Sequence, residues 1–280
     1  MKGSRVCDAL GMNAAPEEML AAFEAQIRQK TGPAFDGWVF ERVGPLLRTT
    51  APAESHRGGG VMFSDFAGMS GDEVDAVIRD TVGYFAARGK EWEWKTYAHD
   101  APPDLTDRLA AAGLVPEELE ALVIGEVETV LRACADVEPP EGVVIREPLD
   151  DDDAGIAALQ LAVWGEPGDD HVAELRAEQA ADPDALRILV AVAGGRVVCA
   201  AWARFHPGTE FASLWGGSTH PDWRGRGLYR CLVGRRAVEA AARGFRYLQV
   251  DASPDSRPIL ERLGMHVVST TTPYIGLGRG

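Results

Sequence analysis

A basic, glycine-rich segment at residues 220–233 carries the clearest chemical signal in the chain. An apolar run at 211–215 precedes it, and apolar residues recur at helical spacing over 228–242. A strand, a glycine turn and a helix in this order direct backbone N–H groups and a helix N-terminus at an anion. Gly225 and Gly227 would let the main chain approach that anion closely. The segment therefore predicts a phosphate-binding turn.

The spacing excludes two common phosphate-binding loops. A Walker loop needs Gly-Lys-Ser/Thr at the start of the helix, and this segment has none. A dinucleotide-binding fingerprint needs a third glycine where Arg230 stands. Arg224 and Arg226 add positive charge to the turn. A glycine-rich helix start without any ligand remains the alternative.

The turn resembles the pyrophosphate-binding motif of the GNAT acyltransferase superfamily, Arg/Gln-x-x-Gly-x-Gly/Ala. The match covers Arg224, Gly225, Arg226, Gly227 and Leu228, and Tyr229 departs from the small residue of the last position. The resemblance implies that this turn binds the diphosphate of coenzyme A and that the preceding strand, with Ser218 and Thr219, pairs with the pantetheine arm. We expect Tyr229 to fill space on the adenosine side rather than to act as an acid.

The following segment resembles the strand–helix unit of the same superfamily that ends in Leu-Tyr-Glu-Lys-Leu-Gly-Phe. A buried strand is predicted at 246–251, and Gly264 is predicted to end the next helix in a left-handed conformation. Ser253, where many members carry asparagine, and Ser256 are implied to contact the cofactor. Leu260 stands where many members carry a tyrosine that protonates the departing thiolate, so the usual general acid is missing.

Glu210 and Ser218 are the candidate catalytic residues. Some family members place a catalytic glutamate where Glu210 opens its strand, and two-residue alternation would put both on one face. A solvated role for Glu210 in the preceding turn is the alternative. The glycine pair before Ser218 suits a splayed or bulged strand that presents an N–H group to an oxyanion. Trp164 lies in a region that often binds the acceptor, but we expect it in the core.

Composition limits the classes of function. The 280 residues carry a net charge of −15, which argues against nucleic acid as a partner and suits a cationic small-molecule amine. A solvated acidic surface without a role in binding is the alternative. No apolar run is long enough to span a membrane. The four cysteines, at 7, 134, 199 and 231, show no metal-ligand spacing, so we expect no metal and a cytoplasmic protein. The oligomeric state stays open, with a homodimer among the options.

The chain looks duplicated, which predicts one domain at 1–138 and a second at 139–280. Ala-Ala-Arg-Gly, a strand, a proline-containing turn, a helix and a glycine recur after residues 86 and 241. The first copy lacks the phosphate turn: Ser70 and Glu73 predict a capping box at its helix start instead. Residues 56–60 predict a hairpin loop, and an amphipathic helix near 19–27 should pack on the body.

The second domain is predicted to be strand–helix–helix–three strands–helix–strand–helix–strand, the GNAT order. Helices are expected near 152–164 and 170–181, and strands near 186–193, 196–205 and 210–218, with a glycine-pair hairpin turn at 194–195. The fold class is therefore α/β (α+β), a mixed central sheet flanked by helices in two tandem GNAT-like copies.

The resemblance implies an N-acetyltransferase that uses acetyl-CoA as cosubstrate and acylates a small-molecule amine. A non-catalytic acyl-CoA-binding or sensing protein is the second hypothesis, because Leu260 replaces the usual acid and no base is evident. A scaffold without affinity for coenzyme A is the third.

Overall fold

The computed structural model describes residues 14–30, 37–53, 55, 57–165 and 168–278. Within them, twelve strands form one mixed sheet that helices flank on both faces, which confirms the predicted fold class. The basic N-terminal segment and Cys7, as well as His56, lie outside the described residues.

The elements follow the chain in two runs. The first contains α1 (Pro16–Phe23), β1 (Val39–Val43), β2 (Leu46–Thr50), β3 (Arg57–Ser64), α2 (Gly71–Ala86), β4 (Glu91–Tyr97), α3 (Leu105–Ala111), β5 (Val115–Pro116), β6 (Glu120–Glu126) and α4 (Val127–Ala133). The second contains β7 (Val143–Arg146), α5 (Asp153–Trp164), α6 (Asp169–Ala181), β8 (Leu186–Ala193), β9 (Arg196–Phe205), β10 (Phe211–Thr219), α7 (Leu228–Ala242), β11 (Tyr247–Ala252), α8 (Arg257–Arg262) and β12 (His266–Gly276).

The two runs exchange strands at the centre of the sheet. The strand order is β1-β2-β3-β4-β12-β6-β11-β10-β9-β8-β7. The strand after α3, β6, pairs with β11 of the second run, and the last strand, β12, pairs with β4 of the first. Because β6 and β12 also pair with each other, the two runs share one continuous sheet.

Successive side chains of each strand point to opposite faces of the sheet, and different helices pack on each face. On one face, here the α7 face, α4, α7 and α8 cover β6, β9, β10 and β11, and α2 and α3 cover β3 and β4. On the other, the α5 face, α1 packs on the central strands, and α5 and α6 pack on β8 and β9. The predicted N-terminal helix is confirmed: it buries Met19 and Phe23 against this face.

Local sequence signals explain why these elements form. The predicted capping box at Ser70 and Glu73 is present at the start of α2. Gly194 and Gly195 both have positive φ, 55° and 78°, as a two-residue hairpin turn between β8 and β9 requires. Gly264, with φ of 82°, follows α8 as predicted.

Two predictions were wrong. Residues 57–60 belong to β3 rather than to a hairpin loop. Glycine is needed inside this strand because a Cβ on Gly60 would lie 2.2 Å from the carbonyl oxygen of Glu93 on β4. Trp164 is not a core residue: it ends α5 and is 58% exposed.

Candidate functional site: a splayed strand pair and an open helix N-terminus

Two parallel strands separate at the centre of the second run. β10 and β11 pair only from Phe211–Tyr247 to Ser213–Gln249. β10 then continues to Thr219 and β11 to Ala252 without further pairing between them, so a gap opens between their carboxyl ends. The gap leaves one backbone edge of β10 without a strand partner, at the end of the strand that leads to the glycine turn.

A bulge bends β10 at this gap, as the glycine pair predicted. The register between β9 and β10 shifts between Trp215 and Ser218, and Gly216 has a φ of 61°. Only glycine fits here, because a Cβ on Gly216 would lie 1.9 Å from the ring of Trp202. A Cβ on Gly217 would lie 2.5 Å from the ring of Tyr229, which therefore covers the bulge from the α7 face.

The predicted phosphate-binding turn lies at the open end of the gap. Gly225 and Gly227 have φ of 74° and 84°, and Gly227 is the N-cap residue of α7. No side chain caps this helix, and its first turn carries no acidic residue. The first helical bond runs from Cys231 N–H to Gly227, and within the described chain the N–H groups of residues 225–230 have no acceptor. The positive end of the helix dipole is therefore open to an anion.

The two arginines of the turn brace the loop and leave positive charge at its surface. Arg224 donates through Nε to the Thr219 carbonyl at 3.4 Å, and Arg226 donates to the Asp222 carbonyl at 3.1 Å. Arg226 also lies over the Trp223 ring, 4.6 Å from its centroid. Both side chains are exposed, whereas Leu228 is buried in the core and can offer a ligand only its N–H.

The hydroxyl groups at the end of β10 have protein partners. Ser218 is buried on the α5 face and accepts a hydrogen bond from Trp164 Nε1 at 2.9 Å. Thr219 lies on the opposite face, with its Oγ1 3.1 Å from Cys199 Sγ. The exposed indole of Trp164 therefore lies at the edge of the gap on the α5 face.

Three hydroxyl side chains line the other side of the gap. Tyr229, whose ring covers Gly217, lies near Ser256 in the loop after β11, which offsets part of the rise that burial causes in the pKa of its hydroxyl. Ser253 and Ser256 lie 3.2 Å apart, Oγ to Oγ. The structure thus brings Tyr229, Ser253 and Ser256 together across the gap.

Glu210 lies at the closed end of β10, away from this group. Its carboxylate accepts a hydrogen bond from Gln26 at 2.8 Å and lies 3.5 Å from Arg246. Ser218 lies eight positions further along the chain, roughly 25 Å away at the usual rise of a strand. The bulge also breaks the two-residue alternation that would have placed the two side chains on one face. These contacts give Glu210 a role in joining the segment after α1 to β10.

A partly buried ionic cluster lies beside the gap on the α5 face, and both runs contribute to it. Lys95 Nζ of β4 lies 2.8 Å from Asp251 of β11 and 3.6 Å from Glu120 of β6. Burial opposes the charge on Lys95, but Asp251, Glu93 and Glu120 raise its pKa well above the ordinary value. Burial raises the pKa of Glu120, and the charges of Asp251 and Glu93 add to that effect. The sequence analysis missed this cluster because strand exchange brings its members together.

A buried arginine on α7 was also missed. Arg236 is 1% exposed and donates to the carbonyls of Trp202 and Trp215, next to the bulge. Its Nη2 has no hydrogen-bond partner, and no carboxylate of the described residues pairs with it. The sequence did contain a signal for its burial: Arg236 continues the i, i+4 spacing of the buried residues Leu228 and Leu232.

Metal binding and membrane insertion are two further possibilities for the described residues. No group of three His, Cys, Asp or Glu side chains there could hold a metal ion. No helix there is long and apolar enough to cross a membrane.

Comparison with known proteins agrees with this geometry. Residues 154–265, from α5 to the residue before β12, match the model of the acetyltransferase (GNAT) family. No curated protein sequence matches the chain.

Solved structures share the fold over nearly the whole chain. A GCN5-related N-acetyltransferase from Kribbella flavida is 17% identical, with a TM-score of 0.63 over 96% of this chain and 97% of its own. A GCN5-related N-acetyltransferase from Sphaerobacter thermophilus is 16% identical, with a TM-score of 0.57 over 95% and 87%. A tandem GNAT protein from the clavulanic acid biosynthesis pathway is 12% identical, with a TM-score of 0.58 over 96% and 98%. At these identities the likeness shows the fold alone.

Proposed function

We propose that this protein, whose residues 154–265 form a domain of the acetyltransferase (GNAT) family, transfers an acetyl or other short acyl group from coenzyme A to an amine of a small molecule. The single observation that carries this proposal is the open N-terminus of α7 at the end of the β10–β11 gap. Acetyl-CoA is the cosubstrate in this proposal, and it would supply the activated acyl group.

The residues present suit the diphosphate of that cosubstrate. The N–H groups of residues 225–230 have no acceptor in the described chain and lie at the positive end of a fifteen-residue helix. Arg224 and Arg226 add two exposed positive charges beside them. Ser253 and Ser256, on the opposite side of the gap, would provide further polar contacts.

The free edge of β10 suits an extended arm that contains amides. N–H and C=O groups of residues 214–219 face the gap without a β11 partner, and an extended ligand can pair with such an edge as an added strand would. The bulge at Gly216 and Gly217 lies along that edge and would supply the N–H that stabilises an oxyanion.

The acceptor amine would approach from the α5 face. Trp164 and Trp215 are 58% and 42% exposed there, and aromatic faces attract cations. Asp251 and Glu120 place two carboxylates around the single ammonium of Lys95, which leaves negative charge beside the gap. A cationic amine fits this surface and the net charge of −15.

In this proposal the domains are residues 1–138 and 139–280, and only the second binds coenzyme A. The first would contribute Lys95 and Glu120 to the wall of the acceptor cleft. Cys134, Cys199 and Cys231 are free thiols, which agrees with a cytoplasmic protein.

A non-catalytic acyl-CoA sensor is the alternative, and one observation favours it. Leu260 is fully buried in the apolar core around α7 and α8, so that position of α8 presents no acid to the gap. Calorimetric titration with acetyl-CoA, followed by thiol release against a panel of amines, separates the two functions. We expect one binding site per chain and release of free thiol with at least one amine. Binding without release on any amine favours the sensor, and no binding contradicts both.

A further inference from the structure

Leu260 of α8 presents no acid to the gap between β10 and β11, but Tyr229 of α7 presents a phenol. When an amine displaces a thiol from a thioester, the sulfur leaves as a thiolate, and a positioned acid that protonates it speeds the step. Tyr229 is the hydroxyl-bearing aromatic residue whose ring covers the bulge at Gly217. It stands at the motif position where a small residue is usual, and this placement goes beyond the space-filling role expected from the sequence.

The position of the ring follows from contacts on both sides of the gap. One edge of the ring lies against Gly217 on β10, and the hydroxyl lies near enough to Ser256 after β11 for that serine to offset part of the rise that burial causes in the pKa of the phenol. The phenol therefore spans the gap on the α7 face, opposite the face where Trp164 and Trp215 would admit an amine. An acid on that side can reach the departing sulfur without meeting the incoming nucleophile.

The surroundings of the phenol suit an acid. Burial raises the pKa of Tyr229, and the charge of Arg236 and the contact with Ser256 offset only part of that rise, so the hydroxyl holds its proton at neutral pH. Arg236 is a buried cation that no carboxylate of the described chain pairs with, and a positive charge nearby favours the phenolate that proton transfer leaves. The Ser256–Ser253 hydroxyl pair continues from the phenol toward partly exposed positions, which provides a path for its return to the protonated form.

We propose that Tyr229 is the catalytic residue that protonates the thiolate leaving group; this inference rests on the proposed acyl transfer. The amine nitrogen forms a bond to the acyl carbon, the carbon–sulfur bond breaks, and the sulfur takes the phenolic proton. The amine gives up its own proton to water, and the phenolate recovers one through Ser256 and Ser253. The balance is amine plus thioester to amide plus thiol.

Tyr229→Phe is the test, because it keeps the ring against Gly217 and removes only the hydroxyl. With acetyl-CoA and the best amine of the panel, we expect kcat to fall about 100-fold, the scale of general acid catalysis, and the Kd of acetyl-CoA to change less than about threefold. Tyr247→Phe is the matched control: Tyr247 is a fully buried phenol at the closed end of the strand pair, and its hydroxyl has no hydrogen-bond partner in the described chain. Its kcat should stay within about threefold of the original.

Ser256→Ala is a second variant that keeps the phenol. We expect kcat to fall about tenfold, because reprotonation slows, and acetyl-CoA affinity to fall by less than kcat, because only one polar contact to the cosubstrate is lost. Full turnover in Tyr229→Phe would overturn the proposal. A loss of acetyl-CoA affinity as large as the loss of kcat would also overturn it, because the hydroxyl would then bind rather than protonate. If the unmodified protein binds acetyl-CoA but releases no thiol with any amine, the proposed acyl transfer itself is contradicted. This outcome differs from both results that would overturn the role of Tyr229.

Discussion

The starts of α2 and α7 occupy equivalent places in the two runs but differ in what meets their N–H groups. Each helix connects two parallel strands, β3 to β4 and β10 to β11. At α2, Ser70 accepts from the Glu73 N–H, and the Glu73 carboxylate accepts from the Ser70 N–H at 2.7 Å. At α7, Gly227 offers no side chain, and the first turn of the helix contains no acidic residue. The N-terminus of α2 is therefore occupied by the carboxylate of Glu73, whereas the N-terminus of α7 is free to bind an external anion.

The space beside the parallel strands also differs between the two runs: it is filled at β3 and β4 and open at β10 and β11. In the first run, Phe66 follows β3, is 4% exposed and stacks on Trp94 of β4, with ring centroids 6.4 Å apart. In the second run, glycines 216 and 217 stand in the bulge, and beyond Ser213 the β11-facing edge of β10 has no strand partner among the described residues. Side chains of the protein therefore fill the space beside β3 and β4, whereas the corresponding space beside β10 and β11 stays open and is lined by unpaired N–H groups. The proposed coenzyme A site therefore lies where the second run lacks the capping and filling residues of the first.

The largest effect is expected from breaking the ionic cluster that joins the two runs. It tests whether the runs, which differ at their helix starts, depend on each other for stability. Lys95→Met removes the cation between Asp251 and Glu120 and leaves two partly buried carboxylates unpaired, so the free energy of unfolding should fall by about 3 kcal/mol. Denaturant unfolding measures the change. Adding Asp251→Asn should recover part of it, because one buried charge is then removed. A loss below about 1 kcal/mol would show that the cluster contributes no coupling between the runs.

Gly227→Val tests the open helix start itself. The residue needs a φ of 84°, which a β-branched side chain does not adopt without strain, so the turn must rearrange. We expect acetyl-CoA affinity to fall at least about 100-fold, or about 2.7 kcal/mol, by calorimetry. Gly68→Val is the matched control in the loop before α2: its φ is 78° and its Cβ would meet nothing within 4 Å. Equal losses of affinity in both variants would contradict the assignment of the site to the second run.

Arg230→Glu would make the start of α7 resemble that of α2. Residue 230 is the third helical position, where α2 carries Glu73. A carboxylate there competes for the free N–H groups and repels a diphosphate, so affinity for acetyl-CoA should fall about tenfold at low salt. Arg230→Gln, which removes the positive charge without adding a negative one, should lose less. If the glutamate variant binds as tightly as the glutamine variant, the helix terminus does not hold the anion.

Ser70→Ala tests the closed helix start and has the smallest expected effect. Loss of the capping box should lower the free energy of unfolding by about 1 kcal/mol, because the α2 N–H groups lose an acceptor. Acetyl-CoA affinity should not change. A gain of a second binding site in this variant would show that capping alone distinguishes the two runs.

Local patterns predicted the second run closely. The helices and strands from 153 to 219 lie within about one residue of their predicted bounds, because apolar alternation, glycine turns and helix stops are all encoded nearby in sequence. The capping box at Ser70 and the left-handed Gly264 follow from the same kind of signal.

Features that depend on distant contacts were not predicted. The exchange of β6 and β12 leaves no local trace, and it brings Lys95 to Asp251, more than 150 residues away in the chain. The glycines at 58–60 resembled a turn, but they fit a strand whose neighbours come too close for a Cβ. Arg236 was visible as a polar residue in an apolar helical stripe, yet its role at the bulge depends on the register shift of β10.

The most direct test is a crystal structure of the complex with coenzyme A. The account predicts the diphosphate oxygens within about 2.7–3.2 Å of N–H groups of residues 225–230, and the pantetheine arm along the free edge of β10. A cofactor bound elsewhere, or a complex in which those N–H groups contact only water, would contradict it.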